Sequence, residues 1–364
     1  MRLRTAFLLP LLLFCGPANA QKLVVNKAEL PVHVVGRIAA DGRQQWPGVY
    51  YEAAFDGDHV DIAFTDKANI FNLYVDGTFV RQVQRGQGTF SVAAKAPGRH
   101  IVRLEKASES QDSANGPSVK FFVVSIRSAA ITQVNTPLPP PPARTRQIEF
   151  IGDSWTVGYG NTSAKRTCTK DEIWATTDTS QAFGPLTAKH FDADYQINAY
   201  SGRGVVRNYD GVAPGVPLPA LYPYELFDRK TAYSDPAWHP QLIVVGLGGN
   251  DFSTPLHPTE KWATREALAA DYEASYVAFL KNVRARNPKA YLLIESYKAS
   301  EAGPHIDNVV AKLKAEGETR IDSVMIGDFE LTGCDWHLNV KDDQKISAQM
   351  TAWIDAHPDI WLAK

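Results

Sequence analysis

The amino-acid sequence predicts two soluble domains in series, an all-β sandwich of jelly-roll type and then an α/β domain built on a mostly parallel sheet. Three observations carry this reading. The first half is made of short β-branched and aromatic runs separated by turn residues, the second half changes its hydrophobic period, and a proline-rich stretch lies between them.

Taken in chain order, the first element is a leader. Arg2 and Arg4 precede an apolar run from Ala6 to Phe14, and Ala18-Asn19-Ala20 follows. That is the pattern of a signal peptide cleaved after Ala20, leaving Gln21 as the new terminus. The apolar run is shorter than the roughly 20 residues a bilayer crossing needs. Lipid attachment at Cys15 is disfavoured, because Phe14 stands where a small residue is wanted. The expected location is therefore periplasmic or secreted.

Residues 21–130 should form the β domain. Val49 to Phe55, Val60 to Phe64, Ile70 to Val75 and Phe79 to Val83 read as strands, punctuated at Asp56-Gly57, Asp76-Gly77 and Pro97-Gly98 as hairpins would be. Val60, Ile62 and Phe64 alternate with Asp61 and Ala63, as in a strand with one buried face. Residues 131–146 read as a linker, since Pro137 and the run Pro139 to Pro142 favour extended chain over a strand ladder.

From 147 to 364 the pattern differs. Ile148 to Ile151, Leu242 to Leu247 and Tyr291 to Ile294 are short buried-strand candidates, whereas Leu268, Tyr272, Tyr276, Leu280 and Val283 share one helical face. Strands alternating with helices imply a parallel sheet covered on both sides, with ligands at the carboxyl ends of the strands. The loops after the strands at Ile148, Tyr195 and Leu242 hold Gly152-Asp153-Ser154, Ser201-Gly202-Arg203-Gly204 and Gly248-Gly249-Asn250-Asp251. Asp335-Trp336-His337 precedes a final helix.

Composition narrows the function classes. The formal charge is −2, and falls to −4 once the leader takes Arg2 and Arg4 away, which gives no electrostatic footprint for nucleic acid. No later run is apolar enough to span a membrane. With Cys15 removed, Cys168 and Cys334 remain, and in an oxidising compartment they are expected to pair. Closing so long a loop is worth on the order of 4 kcal/mol in the chain-entropy model. No His-Glu-x-x-His, Cys-x-x-Cys or Gly-x-Gly-x-x-Gly is present, so neither a metal nor another cofactor is expected. The absence of Gly-x-Ser-x-Gly around Ser154 argues against an α/β-hydrolase elbow.

The chemistry most consistent with these loops is acyl transfer. A serine hydroxyl becomes a competent nucleophile only when a neighbouring base takes its proton, and Ser154 and His337 are the candidates. The oxyanion that develops needs donors fixed in advance. Gly202 can bring a backbone N–H close, Asn250 can donate an amide N–H without adding charge, and the N–H of Ser154 is a third donor. Taken singly, each is ordinary turn or capping chemistry; their joint occurrence on post-strand loops, in this order, favours a site.

Gly152-Asp153-Ser154, Gly202, Gly249-Asn250-Asp251 and a late His337 resemble the SGNH, or GDSL, hydrolases over about 147–364. The longer stretches Ser201 to Tyr209 and Gly333 to His337, with a β domain ahead of them, resemble carbohydrate esterase family 2 over nearly the whole mature chain. The resemblance implies a jelly roll followed by a flavodoxin-like hydrolase domain. It implies deacetylation of plant polysaccharide such as xylan or glucomannan, with Ser154 as nucleophile, His337 as base, and Gly202 and Asn250 in the oxyanion hole.

One departure is plain. The general pattern has an acid three residues before the histidine, but that position is Cys334 and the acid, Asp335, is two before. Either Asp335 turns its carboxylate onto Nδ1 of His337, completing a triad, or a backbone carbonyl orients the ring and leaves a Ser–His dyad. Trp155, Trp336 and Tyr200 are candidates for an aromatic wall against a sugar ring, or for core. The expected partner is an acetylated polysaccharide or oligosaccharide. Two rival readings stand beside it: an esterase acting on O-acetylated cell-wall glycan or short-chain esters, and a catalytically dead carbohydrate-binding protein.

Overall fold

In the computed structural model the described residues are 23–84, 88–109, 118–128, 132–298 and 300–362; the expected leader and its cleavage site lie outside them. The first domain holds strands β1 (Val24–Glu29), β2 (Val32–Val35), β3 (Tyr50–Phe64), β4 (Ile70–Val75), β5 (Thr78–Gln84), β6 (Gly88–Lys106), β7 (Val119–Arg127), β8 (Thr132–Gln133) and β9 (Thr136–Pro137). They pair antiparallel in one hydrogen-bonded sheet, joined because the long strands β3 and β6 run its whole height. Phe55, Ile62, Phe64, Phe71, Leu73 and Phe121 fill the core that the sheet encloses.

Two of the three expected turns are not turns. Asp76-Gly77 closes the two-residue β4–β5 hairpin, as its composition predicts. Asp56-Gly57 and Pro97-Gly98 instead face each other inside the β3–β6 ladder, where Gly57 pairs with Gly98 and the register then shifts to His59 opposite Ala93. Both glycines take positive φ, +150° and +152°, and Asn135 crowds so close to Gly57 that a side chain there would collide with it. Glycine here bulges and bends a continuous strand pair and does not reverse the chain.

The segment expected to be a linker joins the sheet in part. β8 pairs with β7 and β9 with β3, and the Asn135 side chain accepts the N–H of Asp58 at 2.8 Å. Pro137 is tolerated because it sits at the end of a two-residue edge strand.

The second domain contains parallel strands β10 (Arg146–Gly152), β11 (Ala193–Ala199), β12 (Leu242–Gly246), β13 (Tyr291–Tyr297) and β14 (Ile321–Ile326) in the order β11-β10-β12-β13-β14. Its helices are α1 (Ser154–Val157), α2 (Lys170–Thr176), α3 (Phe183–His190), α4 (Leu218–Leu221), α5 (Gly249–Phe252), α6 (Arg265–Arg286), α7 (Ala302–Ala315) and α8 (Val340–Ala356). Alternate residues of the central strands serve opposite faces. Ile151, Val245 and Ile294 meet Leu268 and Tyr272 of α6 and Ile306 of α7, while Phe150, Val244 and Leu293 share a core with Phe183 of α3 and Met350 of α8. The predicted stripe of α6 is buried, and Thr264 caps its start by accepting the N–H of Ala267. The strand order reverses between β10 and β12, so the loops that follow them flank the crevice where such sheets bind ligands.

The domains are docked through buried charge. Asp194 of β11 accepts the hydroxyl of Tyr50 at 2.5 Å and the guanidinium of Arg144 at 2.8 Å, and Arg144 and Arg103 both reach Glu52. Burial pushes the Asp194 carboxyl up, but the hydrogen bonds from His33, Tyr50 and Arg144 outweigh it and hold the group well below the usual carboxylate range. No helix among the described residues is long and apolar enough to cross a membrane.

Candidate active site

Ser154 opens α1 directly after β10, and His337 follows a 3₁₀ turn at Cys334–Trp336. The fold brings them together: Nε2 of His337 lies 2.9 Å from Oγ of Ser154. The other ring nitrogen, Nδ1, faces two backbone carbonyls, Cys334 O at 3.0 Å and Asp335 O at 3.1 Å. Carbonyls only accept, so Nδ1 carries the proton and Nε2 is left with a lone pair aimed at the hydroxyl. Burial pushes the His337 pKa below its ordinary 6.5, against the carbonyls, which favour the protonated ring.

The Asp335 carboxylate is turned away from the imidazole and accepts the Tyr159 hydroxyl at 3.1 Å. The reason is local: Asp335 and Trp336 have φ of +50° and +62°, so the backbone presents the carbonyl of Asp335, and not its side chain, to Nδ1. Left-handed backbone at two consecutive non-glycine residues is costly and persists only where the surroundings impose it. Here the Cys168–Cys334 disulfide ties the turn to the segment before α2. The N–H of Asp335 donates to Arg166 O at 2.5 Å, and Arg166 donates in turn to Leu331 O and Glu330 O.

Gly202 is the third residue of a turn closed by the Arg203 N–H on Tyr200 O at 3.2 Å, with φ of +79°. Positive φ at that position is the type II pattern and favours glycine, although a side chain would meet only open space and the Tyr209 Cβ at 3.9 Å. The Asn250 amide donates to Asp153 Oδ2 at 2.9 Å and to Arg203 O at 3.0 Å, tying the nucleophile segment to the Gly202 turn. Asp153 also accepts the Trp155 N–H at 3.1 Å, and burial lifts its pKa to about 7.

Of the three aromatic candidates, Trp336 alone stands at the surface, 65% exposed beneath the Arg166 guanidinium at 4.2 Å. Trp155 is partly buried in T-shaped contact with Tyr297 and Phe329, and Tyr200 is buried and stacks on Phe227 at 4.7 Å, so both pack with the core. The ring that does cover the base is Tyr159, 4.3 Å from the imidazole. Asp251 was visible as part of its motif without an assigned task. Its carboxylate collects the N–H groups of Val205, Val206 and Arg207 at 2.8–3.1 Å, and so shapes the loop beyond Gly202. Among the described residues no group of three or more His, Cys, Asp or Glu is placed to hold a metal ion.

Residues 34–129 match the carbohydrate esterase 2 N-terminal family and residues 150–336 match the GDSL-like lipase/acylhydrolase family. An acetylxylan esterase / glucomannan deacetylase of Cellvibrio japonicus is 42% identical over 344 residues, covering 91% of this chain and 92% of that protein. The chain belongs to carbohydrate esterase family 2. A solved carbohydrate esterase, described as having divergent catalytic and non-catalytic binding functions at its active site, superposes with a TM-score of 0.79 at 40% identity, covering 92% of this chain and all of that one. A family two esterase from Clostridium thermocellum, solved with cellohexaose, gives 0.74 at 25% identity, with 91% and 100% covered. As a member of this family the protein is an ester hydrolase of the carbohydrate esterase type.

Proposed function

We propose that the protein is secreted and removes O-acetyl groups from polysaccharide of the xylan or glucomannan type through an acetyl-serine intermediate. The observation that carries the mechanism is the 2.9 Å approach of His337 Nε2 to Ser154 Oγ, with Nδ1 held on carbonyls. The substrate class follows from the 42% identical relative, which is an acetylxylan esterase / glucomannan deacetylase. Secretion rests on the leader pattern of residues 1–20 and on the paired cysteines, which suit an oxidising compartment. We read the strand order of the second domain as flavodoxin-like and the first domain as a jelly roll.

In this mechanism His337 removes the proton from Ser154 as Oγ attacks the acetyl carbonyl. The N–H groups of Ser154 and Gly202 and the Asn250 amide take the developing negative charge; Asn250 does so by sharing or exchanging one of its two resting bonds. As the bond from the acetyl carbon to the sugar oxygen breaks, His337 gives its proton to that oxygen, which leaves as a hydroxyl; water deprotonated by the same imidazole then attacks the acetyl-serine, and acetate leaves as Ser154 Oγ takes the proton back. Orientation of the base by the carbonyls of Cys334 and Asp335 makes this a dyad.

The decisive experiment measures acetate released from acetylated xylan, acetylated glucomannan and O-acetylated peptidoglycan, beside labelling of Ser154 by a serine-directed phosphonate. Release from the plant polymers is expected, and preference for peptidoglycan would reassign the substrate. A second reading, retention of a β-glucan chain by the same cleft, is favoured by the relative solved with cellohexaose and by the exposed Trp336. Affinity electrophoresis on glucan with wild type and Trp336→Ala tests it.

A further inference from the structure

The first domain reaches into the catalytic loops through Glu109. Glu109 follows β6, on a segment fastened to both domains: Ser108 Oγ accepts the Ile70 N–H at 2.9 Å, and the Thr179 N–H donates to Ala107 O at 2.8 Å. From there Glu109 Oε1 accepts the backbone N–H of Ser201 at 2.7 Å. Ser201 is the second residue of the turn whose third residue is Gly202. The turn is otherwise tied by the Tyr200 N–H on Gly152 O at 3.2 Å and closed on Tyr200 O by Arg203.

We propose that Glu109 is a positioning residue for acyl transfer: its carboxylate fixes the peptide on which the Gly202 turn is built, so that the β domain completes the oxyanion hole. The physical need is specific. Glycine supplies the positive φ but resists rotation of its own peptide weakly, because it lacks a side chain to lock it. An oxyanion donor is useful only if it is aimed before the charge appears. A half-buried carboxylate on the preceding N–H gives a charge-assisted hydrogen bond, stronger than one to a neutral acceptor. Burial raises the Glu109 carboxyl above its usual range, opposed by the hydrogen bonds from Ser201 and by the charges of Lys106 and Arg203. The β domain is in this respect part of the catalytic unit, and its rigid docking through Asp194, Arg144 and Glu52 is what lets a residue from it hold a loop of the other domain.

The inference rests on the acyl-transfer reading above, and the test separates the two. In the full-length protein, Glu109→Ala and Glu109→Asp, the latter one methylene too short to reach Ser201, are expected to lose about 10- to 100-fold in kcat with KM changed less than about threefold, a fraction of the loss when an oxyanion donor is deleted outright. Glu109→Gln keeps an acceptor oxygen at the same reach without the charge, and is expected to lose clearly less than Glu109→Asp, a partial rescue that loss of general stability does not produce. Asn72→Ala, which removes inter-domain bonds to Asp178 and Ser180, serves as comparator and is expected to lower the melting temperature without lowering kcat. Wild-type kcat in Glu109→Asp, or equal losses in Glu109→Gln and Glu109→Asp, overturns the role of Glu109 and leaves the esterase intact. Should Glu109→Ala fail to fold, the Asp and Gln variants decide the matter alone. Acetate release by Ser154→Ala at the wild-type rate overturns the acyl-transfer reading itself.

Discussion

His337 Nε2 stands 2.9 Å from Ser154 Oγ across 183 residues of chain, because one residue follows the first parallel strand and the other follows a clamped turn before the last long helix. Replacing either, Ser154→Ala or His337→Ala, is expected to lower kcat by several orders of magnitude with circular dichroism unchanged. Because the two act as a unit, the double variant should be no slower than the worse single one. Steady-state acetate release checks this; additive losses would mean that they do not share a step.

Asp335 supplies a carbonyl, and not its carboxylate, to Nδ1. Asp335→Asn is therefore expected to reduce kcat less than about tenfold, whereas loss of the acid in a Ser-His-Asp triad costs roughly 10⁴-fold. A loss of that larger size in a folded variant would show that the carboxylate swings onto the ring during turnover.

Which parts of this arrangement were legible in the sequence follows from the range of the forces involved. β12 was readable because both faces are buried and Leu242 to Val245 are uniformly apolar, and β10 because Ile148, Phe150 and Ile151 are buried around the single buried acid Glu149. β14 was not, since it lies at the sheet edge with Asp322 and Ser323 half-buried and Met325 exposed. The nucleophile, base and two oxyanion candidates each sit in a short loop or first helical turn next to a strand end or helix start, where short motifs carry meaning. Gly57 and Gly98 misled because composition reports a left-handed glycine without saying whether it reverses a strand or bulges it. The partner of Nδ1 was ambiguous for a related reason: it depends on two φ values, at Asp335 and Trp336, that no residue type there announces. Glu109 and the loop-shaping task of Asp251 had no local signal, since each exists only through a contact 92 or 44–46 residues away.

The pH profile follows from the base. Burial holds the His337 pKa below 6.5, so the neutral, proton-accepting ring persists to lower pH than an exposed histidine allows. As pH falls the ring protonates and kcat/KM should drop tenfold per pH unit, with the midpoint of this acid limb below 6.5. A midpoint above 7 would contradict the burial seen here and indicate a nearby carboxylate acting on the ring.

The strained turn before His337 makes the disulfide matter for rate as well as stability. Positive φ at Asp335 and Trp336 is held against relaxation by the Cys168–Cys334 bond, by the Asp335 N–H on Arg166 O, and by the bonds from Arg166 to Leu331 and Glu330. Cutting the covalent tie leaves hydrogen bonds and ring contacts to oppose strain of roughly 1–3 kcal/mol per residue, so the turn should sample conformations in which Cys334 O and Asp335 O no longer face Nδ1. The pair Cys168→Ser with Cys334→Ser is then expected to lower kcat by about 10-fold or more, since a misaligned base slows proton transfer. The melting temperature should fall as well, by an amount consistent with roughly 2–4 kcal/mol. Measuring kcat well below the melting temperature separates the two effects: full activity there would show that the bridge stabilises the fold without aligning the base.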